Sequence, residues 1–264
     1  MTQLLMLGGG RMGSALLGGL LRSGWCTKAD VVVVERRPEA RAQLAERFPG
    51  LALKTSAEPA DALVVAVKPA DAEAACRLLP RNSYARVLSV VAGVQIAKLD
   101  EWIGAGTPIV RAMPNTAALL GTSASAIAAN ESVTEEVLEW AESVLSSIGV
   151  VVRLPERSLD AATGLSGSGP AYFFLVAEAL VEAGVAEGLD REVSRVLTVQ
   201  TMLGAARMLA ESGESAETLR AMVTSPGGTT AAALRVLERA GVRAAFGDAV
   251  SAAAAKSREI GAAH

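Results

Sequence analysis

Histidine is almost missing from this chain. Its single copy is the last residue, His264. A Ser-His-Asp arrangement, an imidazole general base and a histidine-ligated metal are thereby excluded from the body of the protein. Cysteine is nearly as scarce: Cys26 and Cys76 stand far apart and in no metal-ligand spacing. That argues against zinc and disulfides and for a reducing compartment, the cytoplasm; no metal is expected. Aromatic residues make up only 3% of the chain, and no lysine occurs between Lys98 and Lys256. The net charge is −3 without a Lys/Arg block, which gives no footprint for nucleic acid. No continuous apolar run reaches the roughly 18 residues of a membrane span. The opening MTQLLMLGGG lacks the basic flank of a secretory signal. No nucleic acid and no membrane are therefore expected as partners. Any catalysis falls to hydroxyls, carboxylates, Lys68, backbone groups or a bound cofactor.

What the chain does have is apolar substance, 51% of its 264 residues. That length suggests two domains. The first half alternates β-branched runs (4–8, 31–35, 63–67, 87–92, 109–113) with helical patterns (12–23, 38–48, 70–79). Continuous apolar runs of this kind suit a parallel sheet buried on both faces, and the alternation predicts βαβ units. Residues 123–129 and 150–154 add later strands. Beyond Pro155 the strands stop, and the sequence reads as Ala/Leu/Val/Glu helices broken at TGLSGSGP, EGLD, ESGES, TSPGGTT and near Gly241. The expectation is an α/β fold: a Rossmann-type, mostly parallel sheet over 1–154 and an all-helical domain over 155–264. Thin, Ala-rich helices with few aromatics make a poor core alone, which favours burial against a second subunit.

Gly8-Gly9-Gly10-Arg11-Met12-Gly13 fits G-x-G-x-x-G, with a strand before and a helix after. Gly8 allows the tight turn, Gly10 lets a pyrophosphate approach the backbone, and Gly13 lets helix pack on strand. Arg11 and Met12 open that helix. Glu35 ends the second strand, 22 residues after Gly13, and suits the ribose hydroxyls of NAD. Arg36 and Arg37 follow at once and suit the 2′-phosphate of NADP. The two signals conflict and leave the nucleotide open. Val67, Lys68 and Pro69 close one strand, Ala92 and Gly93 the next, and Asn115 follows the one after. In a doubly wound sheet these C-terminal strand ends line the ligand crevice.

Thr224–Thr230, TSPGGTT, interrupts the helical half with one Pro, two Gly and four hydroxyl residues in seven positions. Taken alone it reads as a helix–helix turn with a Thr N-cap. It also has the makings of an anion-binding nest at the start of a helix beginning at Thr229 or Thr230.

Together GGGRMG, AVKP, VAGV, RAMPNT, DAATGLSGSGPAYFF and VTSPGGTTAAAL resemble, in order and over essentially the whole chain, the pyrroline-5-carboxylate reductase family. The resemblance implies a Rossmann domain and a helical domain that interlocks with its twin in a homodimer, with the active site at the dimer interface. Some members assemble further into decamers. It implies reduction of 1-pyrroline-5-carboxylate to L-proline, the last step of proline biosynthesis, with NADPH, or NADH as the alternative. By the same resemblance, the N–H groups of Gly228, Thr229 and Thr230, next to Gly227, bind the substrate carboxylate. The Thr230 hydroxyl meets the ring nitrogen and relays a proton, and Ser225 shapes the loop or touches the carboxylate. Glu156 matches a carboxylate near the substrate that favours the iminium form. Residues 163–170 join the domains. The chain departs from the family pattern at Ala117, where a proline is usual, and at Glu35, where many members are neutral. A β-hydroxyacid dehydrogenase shares the layout but needs a helical-half lysine that is missing here; a 2-hydroxyacid dehydrogenase needs the missing histidine. A silent dinucleotide sensor would have no need of Glu156, Ser225 and Thr230 together.

Overall fold

The computed structural model describes residues 4–262; His264 lies outside them. The chain divides into two compact units, one made of 1–168 with 251–264, the other of 169–250.

The first unit is an eight-stranded sheet in the order β3-β2-β1-β4-β5-β6-β7-β8. The strands are β1 (Leu4–Leu7), β2 (Val31–Val34), β3 (Ala52–Lys54), β4 (Ala62–Val65), β5 (Arg86–Ser89), β6 (Ile109–Met113), β7 (Ser123–Ala129) and β8 (Gly149–Arg153). Pairing is parallel except between β6 and β7. The helices are α1 (Arg11–Arg22), α2 (Pro38–Arg47), α3 (Pro69–Cys76), α4 (Ile96–Ile103), α5 (Glu135–Ser146) and the short α6 (Leu159–Ala162). Alternate strand residues face opposite layers. Leu4, Met6, Val31, Val33 and Val64 pack with Leu16 and Leu20 of α1 and Trp140 and Val144 of α5. Leu5, Leu7, Val32, Val34 and Leu63 pack with Leu99 and Trp102 of α4. Both faces are covered, which is why these strands read as unbroken apolar runs. Sequence reading missed β3, whose three residues carry no alternation, and left α4 and α5 unassigned.

The second unit holds α7 (Gly169–Ala186), α8 (Arg191–Glu211), α9 (Ala216–Met222) and α10 (Thr229–Arg239); α11 (Val242–Ala262) begins in it and ends in the first. A Cβ on Gly184 would strike Ser194 Oγ, and that hydroxyl donates to the Val181 carbonyl at 2.8 Å. Small residues thus bring α7 and α8 close. Asp190 caps α8 and Ser215 caps α9. Large side chains remain in water: Phe173 and Phe174 are 64% exposed and Leu175 66%.

Two expectations need correction. TGLSGSGP is not a break: Thr163–Gly167 forms a π-turn, closed by Ser168 N donating to the Thr163 carbonyl at 2.8 Å. By length and composition alone, Glu156–Ala186 is long and apolar enough to cross a membrane, through an 18-residue window with a mean hydropathy of 1.3. Glu178 and Glu182 interrupt the strict run without lowering the average enough. The compact units also divide differently from the single boundary expected between Leu154 and Pro155. Leu159 is buried in the sheet unit's core, and the end of the chain returns to that unit.

Candidate functional site

Strand order reverses between β1 and β4, so the loops that follow these strands lie side by side. Gly8 sits there with φ +99°, and a Cβ on it would come within 2.8 Å of the Ala66 carbonyl oxygen and 2.9 Å of Val67. Gly13 has no room either, because the Gly8 carbonyl occupies the place of its Cβ. Gly10 is the opposite: a Cβ there would meet no protein atom within 4 Å. Gly10 is also the N-cap of α1, and no side chain caps it. The outcome is a helix start with unclaimed N–H groups beneath open space, which fits the pyrophosphate of a dinucleotide. Arg11 is exposed and Met12 half-buried at the same helix start.

Glu35, only 7% exposed, is surrounded by donors. Arg37 donates its backbone N–H at 3.0 Å and Nε at 3.1 Å to Oε1, while Gly9 N–H reaches Oε2 at 3.3 Å. Burial pushes its pKa up, but the hydrogen bonds from Arg37 and Gly9 outweigh that and hold it below the ordinary carboxylate range. Arg37 is thus paired with Glu35, although its side chain stays 59% exposed. Arg36 instead lines a pocket of about 250 Å³ with Leu7, Val34, Thr55, Ser56 and Ala57, at the ends of β1, β2 and β3. Sequence reading missed Thr55 and Ser56 because it missed β3, the strand they follow. A larger groove elsewhere has only acidic charged residues in its lining, Asp100, Glu131 and Glu156, and suits no anionic nucleotide.

Lys68 is exposed and Pro69 opens α3 beside Val67. After β5, Ala92 is exposed while Gly93, at φ +79°, is buried. Asn115, expected at the crevice, has both ends of its side-chain amide engaged within the protein. Its Oδ1 accepts from Ala117 N at 3.1 Å, and its Nδ2 donates to the Ser166 carbonyl at 3.0 Å. It ties the end of β6 to the π-turn. There a Cβ on Gly167 would come within 2.7 Å of Met113 Cε.

Glu156 also departs from expectation. Its Oε1 accepts from the buried Arg111 at 2.9 Å and from Ile96 N at 2.8 Å. Its charge is answered by a guanidinium and by the start of α4. A carboxylate so paired is a weak electrostatic partner for an iminium.

In the second unit, Gly228 N donates to the Ser225 carbonyl at 3.1 Å and closes a turn over Pro226 and Gly227. Gly227 has φ +72°, the left-handed position that such a turn gives to glycine. The N-cap of α10 is Gly228, not a threonine, and no side chain caps it. Because the Gly228 N–H is used in the turn and Ala232 makes the first helical bond, the amides left at the helix start are those of Thr229, Thr230 and Ala231. The Ser225 hydroxyl occupies the place that a Cβ on Gly228 would need. Thr229 is exposed and Thr230 half-buried. Among the described residues, no group of three or more His, Cys, Asp or Glu could hold a metal ion.

Known proteins of the same build are close. Residues 156–260 match a family model described as pyrroline-5-carboxylate reductase dimerisation, and residues 3–93 match NADP oxidoreductase coenzyme F420-dependent. The pyrroline-5-carboxylate reductase of Mycobacterium tuberculosis is 45% identical, across 98% of this chain and 97% of that one. The solved pyrroline-5-carboxylate reductase of Coxiella burnetii superposes with a TM-score of 0.89 at 35% identity, over 98% of both chains. The Plasmodium falciparum pyrroline carboxylate reductase, solved with NADP bound, gives 0.86 at 32%, again over 98% of both.

Proposed function

The chain belongs to the pyrroline-5-carboxylate reductase family, and from that premise we propose that it reduces 1-pyrroline-5-carboxylate to L-proline. One observation carries the reading: each unit presents a glycine-led helix start that no side chain caps, α1 in one and α10 in the other. The reaction needs two anion sites, one for the cofactor pyrophosphate and one for the substrate carboxylate.

The nicotinamide cofactor, when bound, supplies the hydride that the imine carbon accepts. The protein binds and orients. Gly8, Gly10 and Gly13 bring the backbone to the pyrophosphate. Val67, Lys68, Pro69, Ala92 and Gly93 line the crevice where β4 and β5 end. The amides of Thr229 and Thr230 hold the carboxylate, and Ser225 and Gly227 shape that cradle. The Thr230 hydroxyl contacts the ring nitrogen and relays a proton to it, taking a replacement from water as it does so. A protonated imine already carries the charge that draws hydride, so a histidine base is unnecessary. Glu156 and Asn115 act as positioning residues.

For the nucleotide, the reading is NADPH. Arg37 balances the charge of Glu35, and Arg36 stands with the hydroxyls of Thr55 and Ser56 at one pocket, a donor set suited to a 2′-phosphate. The working unit is a dimer through the segment matched at 156–260, in the cytoplasm where NADPH is regenerated. Light scattering separates a dimer from a decamer. The deciding assay mixes purified protein with the imine and each reduced cofactor and follows loss of nicotinamide absorbance. Oxidation of neither cofactor overturns the reductase reading.

A further inference from the structure

The end of α11 leaves the helical unit and packs with the sheet unit. Three contacts fix it there. Ser257, buried, donates from Oγ to Asp160 Oδ1 at 2.6 Å. A Cβ on Gly261 would come within 3.0 Å of the Gly93 carbonyl oxygen. A Cβ on Gly93 would come within 2.6 Å of Ile260 Cγ2. Gly93 is therefore a glycine twice over, needing both its positive φ and the space that Ile260 fills. The loop after β5 has two sides: Ala92 is exposed, and Gly93 is backed by the last turn of the chain.

We infer that Ile260, with Ser257 as its anchor, is a positioning residue that fixes the Ala92–Gly93 loop against the nicotinamide end of the bound cofactor. This rests on the cofactor reading above. Ile260 keeps 39% of its surface exposed, so it is a poor core residue. Its contact with Gly93 bears on the loop more than on the fold. Hydride transfer is sensitive to displacement, and an error of about 1 Å can cost about 100-fold.

The test is Ile260→Ala in the full-length protein, with Ile260→Val and Ser257→Ala beside it. Three quantities are measured: kcat, the fluorescence of bound NADPH, and the Kd for adenosine 2′,5′-bisphosphate, which has no nicotinamide. Ile260→Ala should lower kcat by about tenfold and dim the bound-NADPH fluorescence, with the bisphosphate Kd unchanged. Ile260→Val should restore most of both, and Ser257→Ala should show the same pattern more weakly. Unchanged kcat and fluorescence in Ile260→Ala overturn the inference. So does weakening of bisphosphate binding in step with NADPH, which marks general loosening of the unit. A wild-type protein that reduces no imine, yet whose NADPH fluorescence still responds to Ile260, overturns the reductase reading and supports this one.

Discussion

Leu4–Leu7 and Phe173–Leu175 are both apolar stretches, yet they meet water in opposite ways. The first is buried throughout in a strand covered on both faces. The second lies on a helix with each side chain well over half exposed. In the helical unit, Leu219 is the buried large apolar side chain among the described residues, while Leu197, Leu209, Met222, Val236 and many others stand in solvent. Each such side chain left in water forgoes roughly 1.5–3 kcal/mol of burial. One unit completes its core within the chain. The other carries half of a core, and its match to a dimerisation model names the other half.

The largest break in this contrast should come from a charge on the half-core. Phe174→Lys is expected to abolish the dimer and reduce activity to background, read by light scattering and turnover, while NADPH binding to the sheet unit persists. An intact dimer would mean that α7 lies outside the interface. Next comes Thr230→Ala, which should lower kcat by about 100-fold, the low end for a lost proton-transfer group, with dimer and cofactor affinity unchanged. Full activity would remove the relay role. Arg36→Ala should raise the KM for NADPH by about tenfold or more, as the roughly 1.5–3 kcal/mol of a charged hydrogen bond implies, and leave that for NADH alone. Equal effects would mean that Arg36 does not read the 2′-phosphate.

The smallest effect concerns the sheet unit alone. The Glu35 pKa is depressed, so its contribution to stability is present above the unfolded value near 4.5 and is lost as pH falls through the folded value. Glu35→Gln should therefore destabilise by on the order of 1 kcal/mol at neutral pH. The gap from wild type should close as pH falls through the depressed folded value. A gap constant with pH would show that the ion pair with Arg37 is not its source.

Local pattern made some features legible and long-range pairing hid others. Ile109–Met113 and Ser123–Ala129 could be read to the residue, the second as an unbroken run of small and β-branched residues, the first despite Arg111 at its centre. Thr134 followed by two acids was a readable start for α5 that the strand-centred reading passed over. The Gly-rich loop and TSPGGTT announced their helix starts because glycine and proline act locally. What could not be read was partnership. Arg111 and Glu156 are separated by 45 residues. Glu35 lies two residues from Arg37, but a further donor, the Gly9 amide, comes from 26 residues away. The Gly228 amide is spent on Ser225 only because Gly227 takes a positive φ. TGLSGSGP looked like a break because glycine usually ends helices, yet the chain stays helical there by widening one turn.

The exposed helical half also changes what stability means for this protein. A half-core completed by a twin makes folding of residues 169–250 a second-order event. The fraction folded then depends on how much chain is present, and each tenfold dilution removes about 1.4 kcal/mol from the association. The sheet unit has no such dependence. As the chain becomes scarce, the protein should first lose the half proposed to hold the substrate carboxylate, with the sheet unit still in place.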